Sequence, residues 1–86
     1  AFKLFEDAAE QGYPASQHNL GLMYSSGRGT KKDIIYGHMW LSLSVAQGVM
    51  RGKKHIIALE KKMNTYQLET SQSLILQCTS SRYKGC

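Results

Sequence analysis

The sequence predicts an all-α fold: an α/α superhelical repeat, a solenoid of helix-turn-helix hairpins closed by a C-terminal capping helix. Two observations carry this. No segment alternates apolar and polar residues for long enough to make a strand, whereas apolar residues recur every three to four positions along most of the chain. The chain also repeats itself. Ala8-Ala9-Glu10-Gln11-Gly12 aligns with Ser44-Val45-Ala46-Gln47-Gly48 at an offset of 36, which also brings Leu4 onto Trp40, Phe5 onto Leu41 and Leu20 onto Ile56. Periods of about 34–40 residues belong to stacked helical hairpins.

The elements follow in order. Residues 1–11 place Phe2, Phe5, Ala8 and Ala9 at helical spacing, and Gly12 ends that helix, with Pro14 keeping it from continuing. A second helix runs from about Ala15 to Ser25, with Leu20, Met23 and Tyr24 on one side. The glycines of Gly27-Arg28-Gly29-Thr30-Lys31-Lys32 make a loop. Asp33 stands where a carboxylate favours the positive end of a third helix, which reaches Gln47 and is closed by Gly48 as the first is by Gly12. A fourth helix covers about Gly52 to Lys62. Asn64 followed three residues later by Gln67 reads as a capping box that opens a fifth, Thr65 to about Ser80.

Composition bounds the function. The 86 residues are 42% hydrophobic and 20% charged, with one Pro and eight Gly: too apolar for a disordered chain, and enough for one small domain or a piece of a larger one. The uncharged run from Ile34 to Met50 falls short of the roughly 20 apolar residues a bilayer needs and includes His38, Ser42, Ser44 and Gln47, so no membrane span is expected. The sequence opens inside a helical pattern with no leader-like segment, as a mature or truncated fragment of a longer chain would.

The net charge of +5 divides unevenly, −2 over residues 1–27 and +7 over residues 28–86. Arg28, Lys31 and Lys32 fall on one edge of a hairpin stack with Lys61 and Lys62, while Arg51, Lys53 and Lys54 fall on the other. A helix of 12–13 residues separates such edges by roughly 18–20 Å. Two separate rims without interleaved aromatics make a poor phosphate track, so a solvated rim is expected and a nucleic-acid partner is not.

Metal-site and nucleophile-elbow motifs are absent. His18, His38 and His55 are never three or four residues apart, there is no Cys-x-x-Cys, and no Gly-x-Ser-x-Gly or phosphate loop occurs. No metal, no cofactor and no catalytic residue is expected. Cys78 and Cys86, the only cysteines, would close a loop of about nine residues worth about 2.5 kcal/mol if bonded; two free thiols are the alternative. A bond would favour an oxidising compartment, bacterial periplasm or secretion, over the cytoplasm.

The run Ala8-Ala9-Glu10-Gln11-Gly12, then Ala15, Gln17, Leu20-Gly21, Met23-Tyr24, Gly27, Gly29 and Asp33, resembles the Sel1-like repeat, a relative of the tetratricopeptide repeat. Gly37, Trp40-Leu41, Ser44-Val45 and Gln47-Gly48 resemble the first helix of a further copy, with Gly37 standing where the family prefers Ala. The segment Leu59 to Met63 and the helix after it look like a closing region. The resemblance implies a first repeat over 1–32, clipped at its start, a divergent second repeat over 33–63, and a capping helix and tail over 64–86. It implies an adaptor that binds a protein or peptide on its concave face rather than an enzyme. The alternative it offers is a binder or hydrolase of cell-wall-type or β-lactam ligands, as in cysteine-rich relatives, which the presence of just two cysteines disfavours.

Structural roles are expected for Gly12, Gly21, Tyr24, Trp40 and Gly48: the glycines at helix ends and at a close helix approach, the aromatics between hairpins. One contrast between the copies points to a binding face. Met39, Leu43 and Ala46 share a stripe of the third helix, and their counterparts 36 residues earlier are Lys3, Asp7 and Glu10. The apolar stripe must be covered, either by the chain's own fifth helix or by a partner. Lys3, Asp7 and Glu10 are the candidate polar contacts, with Tyr36, Met39 and Leu43 as the apolar ones.

Overall fold

The central element is a helix that no other could replace. Ile34–Ala46 (α3) buries Gly37, His38, Met39, Trp40, Leu41, Leu43 and Ser44, residues that face in nearly every direction. A helix apolar on all sides is stable only when other elements surround it. The structure, a computed structural model, describes all of residues 1–86 and arranges four further helices around it: Phe2–Glu10 (α1), Pro14–Ser26 (α2), Lys53–Glu60 (α4) and Thr65–Ser80 (α5). No strand is present, so the all-α expectation holds. The α2 helix packs most heavily on α3, α1 lies on α2, and α4 and α5 both lie on α3.

The expected caps form. Asp33 Oδ1 accepts from the Ile35 and Tyr36 amides at 3.1 Å each, satisfying two of the orphan donors at the start of α3. Asn64 Oδ1 accepts from the Gln67 amide at 2.8 Å, and Gln67 Oε1 accepts from the Asn64 amide at 2.9 Å, a complete capping box. Gly12 and Gly48, equivalent by the repeat, hold φ of +95° and +103° after α1 and α3, where a side chain would be strained. Pro14 has a role besides the one expected. It opens α2 at a position whose missing N–H costs nothing, beginning that helix one residue early.

The fourth helix departs from expectation at both ends. Met50–Gly52 form a 3₁₀ turn, and the α-helix covers only Lys53 to Glu60. Its start has no side-chain cap, and Arg51, Lys53 and Lys54 bring positive charge to the positive end of the dipole, which weakens a short helix.

Two apolar clusters form the core. The larger joins Ala9, Leu20, Met39, Trp40, Leu43 and Cys78, and the smaller joins Leu41, Leu59 and Met63. Trp40 is 1% exposed, and deleting a ring of that size from a core typically costs about 3–5 kcal/mol. Gln17, fully buried, ties the ends of α1 and α3 together: its Nε2 donates to the Ala9 carbonyl at 3.1 Å, and its Oε1 accepts from Gln47 Nε2 at 2.8 Å.

Candidate functional site

The charged stripe of α1 is open to solvent. Lys3 Nζ lies 3.5 Å from Glu6 and 3.3 Å from Asp7, and the Lys3 side chain is 76% exposed. The hydrogen bond and charge of Asp7, followed by the charge of Glu6, hold the Lys3 ammonium above its ordinary range. Such exposed pairs, screened by solvent, add little to stability. Glu10, half-buried, completes the stripe one turn on.

The equivalent stripe of α3 is covered by the chain itself at Met39 and Leu43, while Ala46 at its end is exposed. Met39 and Leu43 are 0% and 3% exposed. Leu74, Ile75 and Cys78 of α5 pack over them. The sequence pattern offers both residues as apolar partner contacts. Their burial removes them from any such surface, because the fifth helix already shields this face from water. Tyr36 remains half-buried at its edge, where a small cavity of about 200 Å³ is lined by Tyr36, Met39, Leu74 and the tail residues Lys84 to Cys86.

Aromatic side chains link the two stripes. The Tyr24 ring lies 5.6 Å from Tyr36 and meets Phe2 edge-on at 5.5 Å. Burial, followed by the charge of Glu6, raises the Tyr24 phenol above its ordinary pKa, so the ring stays neutral.

The tail is pinned beside this face. Cys78 and Cys86 form a disulfide with Cα atoms 5.8 Å apart, within the normal span of such a bond. Cys78 is buried, its Sγ 3.6 Å from Met39 Sδ. The tail turns back through Arg82 and Tyr83, both at positive φ, and the Tyr83 ring lies against Gly12.

One polar cluster had no signal in the sequence. His38 is 3% exposed; its Nδ1 lies 2.6 Å from Ser71 Oγ and its Nε2 lies 2.9 Å from Glu60 Oε2. With Nε2 protonated, the ring donates to Glu60 and accepts from the Ser71 hydroxyl, satisfying every group and joining α3, α4 and α5. Serine, histidine and carboxylate match a hydrolytic triad in residue type only. Ser71 is fully buried, so no substrate carbonyl can reach its hydroxyl. The cluster is a clamp between helices.

No group of three or more His, Cys, Asp or Glu side chains is gathered in a way that could hold a metal ion. No helix is long and apolar enough to cross a membrane. His18, 3% exposed, stands beside His55 with ring centroids 6.0 Å apart, and its Nδ1 has no hydrogen-bond partner. Burial, then the positive charges of Arg51 and His55, lowers its pKa from the ordinary 6.5.

The family model of the Sel1 repeat matches residues 1–13 and 14–49, more than half of the chain, and its second stretch has the length of the internal offset. No curated protein matches the sequence.

Proposed function

The chain belongs to the Sel1 repeat family, whose repeats generally mediate contacts between proteins and are typically non-catalytic, and from this premise we propose that it is an adaptor module binding a peptide or protein on the inner face of α1 and α3. Lys3, Asp7 and Glu10 supply the polar contacts, with Tyr36 at the apolar edge. The observation that supports this reading is the asymmetry of the two equivalent stripes. The stripe of α3 is sealed by α5 at Met39 and Leu43, whereas their counterparts 36 residues earlier on α1, Lys3 and Asp7, are charged and exposed. In this reading the units are 1–32, 33–63 and 64–86, the last being the seal. The bonded cysteines support an oxidising compartment, periplasmic or extracellular.

The test is site-specific photo-crosslinking in the native cell. A photoreactive residue at Glu10 should capture a discrete protein adduct that one at Glu69, exposed on α5, does not. The same adducts from both positions would remove α1 as the contact face.

A further inference from the structure

A second surface, on the other side of α1, carries chemistry that the charged stripe does not. A groove of about 730 Å³ opens between α2 and α4. Phe5 enters it from α1, two residues and therefore roughly 200° around the helix from Lys3. The walls obey the internal repeat. Asn19, Leu22, Met23, Ser25 and Ser26 line it from α2, and His55, Ala58, Leu59 and Lys62, 36 residues after all of these but Ser25, line it from α4 and the turn that follows.

The lining is apolar along the floor and cationic at the rim. Phe5, Leu22, Met23 and Leu59 offer aliphatic and aromatic surface, while Arg28 and Lys62 stand at the edge with no carboxylate among the lining residues. The ion pairs of the molecule lie within α1, and Glu60 is engaged by His38, so Arg28 and Lys62 are both unpaired. An apolar floor beneath unpaired cations complements a ligand that is both apolar and anionic. The α2 wall from Asn19 to Ser26 runs about 10 Å, two helical turns, which suits a short stretch of polypeptide.

We propose that this groove docks a short acidic segment of a partner protein, its bulky apolar side chains seated between α2 and α4 and its carboxylates on Arg28 and Lys62. A phosphate backbone does not fit this chemistry, because two cations over an apolar floor give neither a continuous track nor stacking platforms. The site is separate from the inner face of α1 and α3, so either surface can fail without the other.

The probe is a displayed library of random dodecapeptides, panned on the whole chain and counter-selected on Ala58→Trp. Ala58 is exposed, so the indole fills the groove without entering the core. The peptides retained should carry net negative charge and at least two large apolar residues. Synthesised and labelled, they should lose roughly tenfold or more in affinity on Arg28→Glu with Lys62→Glu, and bind Glu69→Lys unchanged. Circular dichroism of each variant secures the comparison by showing retained helix. Peptides that are basic or neutral, peptides that bind Ala58→Trp equally well, or an empty selection would each overturn the proposal. So would dimers of the wild-type chain that Ala58→Trp abolishes, since the occupant would then be a second copy.

Discussion

Gly21 and Gly37 face each other where α2 crosses α3. A Cβ on Gly21 would lie 3.1 Å from the Gly37 carbonyl oxygen and 2.9 Å from the Leu41 amide nitrogen; one on Gly37 would lie 3.1 Å from the Gly21 carbonyl oxygen and would collide with Ser25 Oγ. The opposing atoms include backbone on both sides, so neither helix can yield without shifting as a whole. Alanine in place of glycine normally favours a helix by about 1 kcal/mol, but overpacking of this kind costs about 1–3 kcal/mol. Gly21→Ala should therefore destabilise the chain by about 1–2 kcal/mol in urea unfolding, and Gly37→Ala by a similar amount. A more stable Gly21→Ala protein would show that the crossing is looser than this geometry.

The disulfide closes a loop of about nine residues, for which chain entropy gives about 2.5 kcal/mol. Cys86→Ser is the informative variant, because Cys78 lies in the core and its own substitution would disturb packing as well. The midpoint of denaturant unfolding should fall in Cys86→Ser, and adding reductant should lower the wild type to the same value. A variant that unfolds at the wild-type midpoint would make the bond energetically idle.

His18 makes stability depend on acidity. Its folded pKa lies below the ordinary 6.5, so the unfolded chain takes up a proton more readily than the folded one. The stability contributed by keeping this ring neutral is complete above 6.5 and is lost as pH falls from there to the lowered folded value, below which the loss is constant. Thermal melts stepped downward from neutral pH should show a declining Tm through this window. His18→Leu, which needs no proton and leaves no unpaired Nδ1, should flatten it; an unchanged slope would assign the acid sensitivity to other groups.

Ser71 should behave as a structural partner rather than a nucleophile. Ser71→Ala leaves the buried His38 Nδ1 without its hydrogen bond, a loss of about 1–3 kcal/mol measurable by urea unfolding. A fluorophosphonate should leave Ser71 unmodified in the folded protein, as read by intact mass. An adduct at Ser71 would reopen the hydrolase alternative.

The features legible in the sequence are those decided by neighbours along the chain. Asp33 and the Asn64–Gln67 pair announce their caps because donor and acceptor lie within three residues of each other. Trp40 announces its burial by size and register. The His38 clamp could not be read in this way: its members come from α3, α4 and α5, and only packing brings positions 38, 60 and 71 together. The apolar stripe of α3 was visible, but its cover was not, since an amphipathic fifth helix and a partner peptide satisfy the same pattern. The groove between α2 and α4 was hidden for a related reason. The offset aligns Leu22 with Ala58 and Met23 with Leu59, yet says nothing about whether the two faces meet or stand apart.

Walls that recur with the repeat turn this groove into a ruler. A further copy on the same 36-residue step would add one more wall, and the length of segment accommodated would count the copies. Selectivity for partners could then change by duplication of a unit, without the substitution of a single contact residue.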